Sequence, residues 1–101
     1  MKRKLKITVL KRDLYKDLVD KYGADKNTTA CDAVKDGQEY ILETPDKPDN
    51  FCSWAWADIQ RDVIAVFFGA SYDWIEQPNT VISCCTDGFR PVVFKIELIK
   101  E

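Results

Sequence analysis

Residues 53–69 read SWAWADIQRDVIAVFFG and predict the main core element of the protein. Ser53 is a favoured helix N-cap residue, and Gly69 is a natural helix terminator. The apolar side chains fall on one stripe at helical spacing, formed by Ala55, Trp56, Ile59, Val63, Val66 and Phe67. The opposite, solvated side is predicted to carry Asp58, Arg61 and Asp62. We therefore expect an amphipathic helix in which Ile59 and Val63 are almost fully buried.

The remaining elements are predicted from alternation and turn residues. Leu5, Ile7 and Val9 alternate with polar residues, which is typical of a strand with one buried face. Asp13 as N-cap and Gly23 after the last turn bound a short amphipathic helix. Further strands are predicted over residues 38–43, 80–86 and 89–100. The order β-α-β-α-β-β predicts one α+β domain over residues 1–101, with a small, mainly antiparallel sheet packed on two helices.

Two strand pairings are predicted from turn and charge patterns. Asp87 and Gly88 favour a two-residue hairpin turn, which would place Cys85 opposite Arg90. Cys85 would then share the apolar face of the last strand, and its neighbour Cys84 would lie on the other face. The first and last strands are expected to be neighbours, because Lys4 and Lys6 can face Glu97 or Glu101.

Two further cysteines precede the main helix. Extending the helical wheel backwards places Cys52 on the buried stripe about one turn before Trp56, so its thiol is expected to point towards the core. Cys31 follows a loop of small and polar residues at 24–29. We therefore predict that Cys52 and Cys85 meet in one cluster on the core side of the sheet.

Three motifs, each built around a cysteine, carry a resemblance to a known family. They are Cys31 with Gly37, Phe51 and Cys52 with Ala55, and Cys85 with Asp87 before Val92, Phe94 and Ile96. From residue 31 onward the chain resembles a family of small prokaryotic proteins of about this length, with Phe-Cys-x-x-Ala opening a helix and Cys-x-Asp preceding a Val-x-Phe-x-Ile strand. No activity is assigned to that family, so the resemblance implies none for this chain.

The cysteines allow two chemical functions. A zinc or iron–sulfur site would use Cys31, Cys52 and Cys85, with Asp87, water or a partner's side chain completing the ligands, because thiolates suit Zn²⁺ and cluster iron. Thiol redox or nucleophilic chemistry would use Arg90 to stabilise a thiolate at Cys85, although the chain has no histidine to act as a general base.

The third function is binding or assembly. In it the cysteines are buried structural residues that fill space as small hydrophobes, and the work is done by the surface. Trp54 and Trp74 are the candidate contact residues, since one lies off the apolar stripe and the other lies in a loop. We expect this function, without enzymatic activity, and keep the two chemical functions as alternatives.

Composition and charge limit which partners and which compartment are expected for the protein. The net charge is only −2 and the basic N-terminal run is balanced by acids along the chain, so nucleic acid is not an expected partner. The longest apolar run, residues 63–68, is too short to cross a bilayer, and no signal peptide is recognised. We expect a cytoplasmic protein with reduced thiols. Aromatic residues make up 12% of the chain, and this apolar surface predicts at least a homodimer.

Overall fold

One antiparallel sheet and two helices form the fold in the computed structural model, which describes residues 3–100. The elements are β1 (Arg3–Arg12), α1 (Lys16–Tyr22), β2 (Glu39–Leu42), α2 (Ser53–Phe67), β3 (Thr80–Cys84) and β4 (Val92–Lys100). The strands lie in the order β2-β1-β4-β3, and each neighbouring pair is antiparallel. The predicted α+β class and element order are confirmed. Across residues 3–100, neither helix has the length and apolar character needed to cross a membrane.

The central strands β1 and β4 pair because both alternate apolar and polar side chains. The largest fully buried side chains of their inner face are Leu5, Ile7, Val9, Phe94 and Ile96. On the outer face Lys6 lies opposite Glu97, which confirms that the first and last strands are neighbours. Glu101, the other predicted partner of the lysines, lies outside the described residues.

Helix α2 covers the inner face of the sheet and packs on β1, β3 and β4. Ile59 and Val63 are fully buried, as their positions on the apolar stripe predicted. The helix ends as predicted before Gly69, whose φ of +99° is a conformation that glycine adopts without strain. The N–H of Gly69 donates to the carbonyl of Val66 at 2.9 Å and closes the last turn.

Three predictions about α2 are wrong. Cys52 rather than Ser53 is the N-cap residue, with an extended backbone and no side-chain hydrogen bond to the first turn. Because it precedes the helix, Cys52 leaves the apolar stripe and is exposed instead of buried. Asp62, predicted on the solvated side, is only 8% exposed, because the segment after the helix returns and the Tyr72 hydroxyl donates to its Oδ1 at 3.3 Å.

Helix α1 differs from the prediction in its start and its packing. Tyr15 is the N-cap residue, whereas the carboxylate of Asp13 accepts a hydrogen bond from the N–H of Leu14 at 2.8 Å. Gly23 follows the helix as predicted, because a Cβ there would lie 2.7 Å from the carbonyl oxygen of Val19. The helix buries Val19, and the closer backbone contacts with the sheet are made by α2.

The connection between β3 and β4 is longer than the predicted two-residue turn. The register pairs Ser83 with Phe94, which is two residues away from the predicted partner, and residues 85–91 form the loop. The loop is longer than two residues because Asp87 Oδ1 accepts hydrogen bonds from the N–H groups of Phe89 (3.0 Å) and Arg90 (3.2 Å).

This register also decides the surroundings of the last two cysteines. A shift of two residues keeps each side chain on its predicted face. Cys85 is accordingly buried and Cys84 exposed, as predicted. The residue opposite Cys85 is Val92 and not Arg90, since the N–H of Cys85 donates to the carbonyl of Val92 at 3.0 Å.

Candidate functional site

A pocket of about 290 Å³ opens at the N-terminal end of α2. Its walls come from the start of α2, from the loop residues 31–34 before β2, and from the loop residues 85–90 before β4. The buried floor is apolar and comprises Val34, Phe51, Ala55, Val92 and Phe94. The charged groups of the rim are Asp32, Asp87 and Arg90. An apolar floor with a few polar groups around it is the usual form of a small-molecule site.

Three of the four cysteines line this pocket, but they differ in exposure. Cys85 is buried in the floor, Cys31 is half-buried, and Cys52 is exposed. The sulfur of Cys85 accepts a hydrogen bond from the N–H of Val92 at 3.2 Å, so it has a structural role at the start of β4. Cys84 lies on the outer face of the sheet, away from the pocket. Cys52 and Cys85 therefore line one pocket, but Cys52 does not point into the core as predicted.

The loop that carries Cys31 is fastened by Arg12 at the end of β1. Its Nη1 donates to the carbonyl of Cys31 at 2.9 Å and to that of Val34 at 3.3 Å. Its Nε donates to Asp36 Oδ1 at 3.0 Å. One planar guanidinium thus satisfies two backbone carbonyls and a carboxylate, which the single ammonium of a lysine does not reproduce.

The loop that carries Cys85 is fastened by two carboxylates. Asp58 of α2 accepts hydrogen bonds from the N–H of Thr86 at 2.7 Å and from its hydroxyl at 2.9 Å. Asp87 accepts from Arg90 Nε at 3.3 Å as well as from the two backbone N–H groups that turn the loop. Arg90 is therefore paired with Asp87 at the rim, and the prediction that it lies across from Cys85 is wrong.

The same hydrogen bonds decide the ionisation of Asp87. Burial by itself raises the pKa of the Asp87 carboxyl, because a charged group loses hydration. The hydrogen bonds from the N–H groups of Phe89 and Arg90 and from the Arg90 side chain outweigh this effect, and the pKa lies below its ordinary value of 3.8. Asp87 is thus a carboxylate at neutral pH and keeps the loop in place.

Aromatic rings connect the pocket floor to the core. Phe51 lies 4.9 Å from Tyr40, 5.9 Å from Trp56 and 5.7 Å from Phe94, measured between ring centroids. Burial raises the pKa of Tyr40 above 10.0, and negative charge on the nearby Cys52 raises it further, against a lowering by the hydrogen bond from Gln38. The centre of the floor is therefore held by packed aromatic side chains.

The structure gathers most of the predicted site residues at the pocket. Those that line it are Cys31, Cys52, Trp54, Cys85, Asp87 and Arg90. Trp74 does not, and lines a separate groove between α2 and β3. Among residues 3–100 no group of three or more histidine, cysteine, aspartate or glutamate side chains is placed to hold a metal ion. The predicted metal ligands therefore share a pocket without forming a coordination group.

Sequence reasoning missed Arg12 and Asp58, which fasten the two pocket loops. Arg12 lies in the basic N-terminal run, which was interpreted as the solvated face of a strand. Asp58 was placed on the solvated side of α2. Their partners lie 19 to 28 residues away in the chain, so no local pattern marks either role.

No family model matches the chain, and searches of curated proteins and of solved structures gave no match. The resemblance carried by the three cysteine motifs therefore stays a prediction.

Proposed function

We propose that this protein is a small binding protein whose pocket takes one small molecule with an apolar body. The observation that carries the proposal is the pocket, in which a buried apolar floor, three thiols and a charged rim come from separate segments of the chain. Cys85 fits the expected structural role, because it is buried and bonded to the backbone. Cys31 and Cys52 reach the pocket surface, which supports contact with a ligand in addition to packing.

The rim favours a ligand that donates hydrogen bonds. Arg90 is already paired with Asp87 at 3.3 Å, so its charge is largely balanced. Asp32 is exposed at the same rim and adds a negative charge. We therefore propose a ligand with an apolar body and an amine or similar donor at one end, and we expect anions of the same size to bind more weakly.

Two alanine positions provide a matched test of the pocket. Ala33 and Ala57 are both exposed, and of the two only Ala33 lines this pocket. Phenethylamine, with phenylacetate as the anionic comparison, should shift the NMR signals of Trp54 and Ala55 in the natural protein. The substitution Ala33→Phe should weaken this binding by about tenfold or more, whereas Ala57→Phe should leave it unchanged. Equal binding by the two variants, or equal binding of amine and carboxylate, contradicts the proposal.

A metal or iron–sulfur site is the second candidate, and one observation favours it: Cys31, Cys52 and Cys85 line the same pocket. It requires the three thiols to move closer together than they lie here, with Asp87 as the further ligand. Zinc or iron bound at one equivalent per chain after anaerobic purification, and lost in Cys52→Ser but kept in Cys84→Ser, would replace the small-molecule proposal with this one.

Thiol chemistry makes a different prediction for the same cysteines. A nucleophilic or redox thiolate should react with iodoacetamide near neutral pH much faster than a free cysteine does. Packed and ligand-contacting thiols should react in the order of their exposure, with the exposed Cys52 and Cys84 first and Cys85 only on unfolding. Phenethylamine should slow the reaction of Cys52 if the thiol lines the binding site.

We also propose that the protein is cytoplasmic and forms a homodimer. All four cysteines are free, which fits a reducing compartment. The outer face of the sheet has no helix over it within residues 3–100, and it exposes Ile41 on β2 and Ile82 on β3. Light scattering should give twice the mass of one chain at micromolar concentration. The mass of a single chain throughout that range contradicts the dimer.

A further inference from the structure

Strand β3 is an unprotected edge of the sheet. Its five residues read TVISC and include no charged residue and no proline. Edge strands usually carry lysine, proline or a bulge, because these features discourage pairing with another chain. The opposite edge follows that rule, since Glu39 of β2 carries a charge and forms an ion pair with Lys6 at 3.6 Å. Of the two edges, β3 is therefore the one open to a further strand.

The register identifies the backbone groups that β3 offers. Cys85 bonds to Val92 through its N–H, and the carbonyl of Asn79 accepts from Leu98, both at 3.0 Å. Because hydrogen-bonded and non-hydrogen-bonded pairs alternate along an antiparallel ladder, residues 79, 81, 83 and 85 bond to β4. Residues 80, 82 and 84 therefore direct their N–H and C=O groups away from β4, where the sheet has no further strand.

The length of this open edge is limited at one end. The next outward N–H, that of Thr86, is taken by the carboxylate of Asp58 at 2.7 Å. The open donors and acceptors are thus those of Thr80, Ile82 and Cys84. They match a short added strand that forms three hydrogen-bonded residue pairs.

A groove of about 680 Å³ lies beside this edge. One wall is β3, and the other is the flank of α2 that carries Asp58, Arg61 and Asp62. Tyr72 and Trp74 also line it, with ring centroids 5.0 Å apart, and Trp74 is 73% exposed. An edge strand beside a helix, with a side-chain groove between them, is the geometry by which domains add a peptide strand to a sheet.

The charge of this region selects the partner. Residues 58–86 contain one base, Arg61, and four acids, of which Asp58 and Asp62 line the groove with Arg61, while Asp73 and Glu76 lie in the segment between α2 and β3. Burial raises the pKa of Tyr72 above 10.0, and the negative charge of Asp62 raises it further. Pairing β3 with β3 of a second copy would bring these acids towards each other, which is unfavourable. A strand that carries lysine or arginine would be attracted instead.

We propose that β3 binds an extended segment of another protein as a fifth strand, with basic side chains on the groove side, where the surrounding residues 58–86 carry a net negative charge. Side chains of an added strand alternate between the two faces of the sheet. Those opposite Ile82 and Cys84 share the outer face, where an apolar, β-branched residue packs well against Ile82. The recognised segment therefore alternates Lys or Arg with Val or Ile. This interaction is separate from the ligand of the cysteine pocket.

Fluorescence anisotropy with a labelled Lys-Val-Lys-Val-Lys-Val-Lys peptide tests this proposal on the whole chain. The substitution Ile82→Pro removes an outward N–H without breaking a hydrogen bond to β4, and Ile82→Thr is the matched control that keeps it. Proline should weaken binding by about tenfold, and threonine should change it little. A peptide with glutamate in place of lysine should not bind.

Modified peptides keep the test valid even if the proline variant does not fold. The valines lie opposite the outward groups of β3, so N-methylation of the valines should abolish binding. The N–H groups of the lysines point away from β3, so N-methylation of the lysines should leave binding intact. Equal loss from both modifications, or equal binding of the glutamate peptide, overturns the proposal. A dimer that Ile82→Pro converts to a monomer also overturns it, because a second copy then occupies the edge.

Discussion

The cysteine pocket and the groove beside β3 share helix α2, but they are built from different kinds of structure. The pocket walls are loops, fastened by the side chains of Arg12, Asp58 and Asp87. The long walls of the groove are α2 and β3, which are held by the buried core and by the ladder to β4. The shape of the loop-built pocket should therefore change when one polar contact is lost. The walls of the groove should move only when the core is disturbed.

The largest expected effect comes from the core that supports both sites. Ile59 is fully buried beneath the sheet, so Ile59→Ala should lower the free energy of unfolding by about 2 to 5 kcal/mol. Ile64 lies on the same helix but is 40% exposed, so Ile64→Ala is the control and should cost well under that amount. Urea unfolding followed by tryptophan fluorescence measures both. A loss below about 1 kcal/mol for Ile59→Ala would mean that the core does not depend on this stripe.

Arg12 tests the pocket without the groove. Replacing Arg12 by methionine leaves the carbonyls of Cys31 and Val34 without their donor, and we expect a loss of about 1 to 3 kcal/mol in unfolding free energy. Iodoacetamide should then modify Cys31 faster, because its loop is released. The exposed neighbour provides the control variant, Lys11→Met, which should change neither quantity.

NMR signals of the same variant show whether the change is confined to the pocket. Arg12→Met should shift signals of the pocket loops and leave those of Trp74 and β3 in place. Equal NMR shifts in both regions would mean that the loops and the edge strand form one cooperative unit and not two independent ones.

Local periodicity explains which parts of the fold were predictable. Strand β1 and helix α2 carry their own apolar repeat, so their faces followed from the sequence. The prediction of a buried Cys52 is wrong because the helical wheel does not extend to the N-cap residue, whose ψ of 124° belongs to extended backbone. The prediction of a two-residue hairpin turn is wrong because the Asp87 carboxylate accepts hydrogen bonds from two backbone N–H groups, which lengthens the loop. The turn dipeptide alone does not indicate these hydrogen bonds.

Long-range contacts explain what the sequence could not supply at the site. Asp62 is polar by composition, yet it is buried because Tyr72, ten residues later, returns to bond with it. Arg12 bonds to a loop 19 residues away and Asp58 to one 28 residues away. The inward face of Cys85 was predictable from strand alternation, whereas the exposure of Cys52 and the residues that fasten the loops were not.

Neutralising Asp87 should have a smaller effect on the free energy of unfolding, and this effect should depend on pH. The pKa of Asp87 in the fold is below its ordinary 3.8, so ionised Asp87 stabilises the fold at pH values above the unfolded pKa. This stability is lost as the pH falls from about 3.8 through the lower pKa of the folded state. Asp87→Asn should therefore be less stable than the natural protein at pH 6 and should lose less of its stability between pH 5 and about pH 3.

The control for this measurement is the other carboxylate of the pocket rim. Asp32 is exposed and lies on loop 31–34, which Arg12 fastens through the backbone carbonyls. Asp32→Asn should leave the free energy of unfolding at pH 6 close to that of the natural protein, because its side chain is exposed. Parallel curves for Asp87→Asn and the natural protein would show that the hydrogen bonds of Asp87 do not stabilise the loop.

The smallest effects on stability are expected from the two exposed tryptophans, and these residues separate the sites most cleanly. Trp54 at the pocket is 65% exposed and Trp74 at the groove is 73% exposed, so replacing either by alanine should change the unfolding free energy by only about 0.5 kcal/mol. Binding should divide between them. Trp54→Ala should weaken phenethylamine and leave the Lys-Val peptide unaffected, while Trp74→Ala should do the reverse, because each ring contacts one site. Titration of both probes against both variants measures this, and loss of both probes in either variant would join the pocket and the groove into a single binding surface.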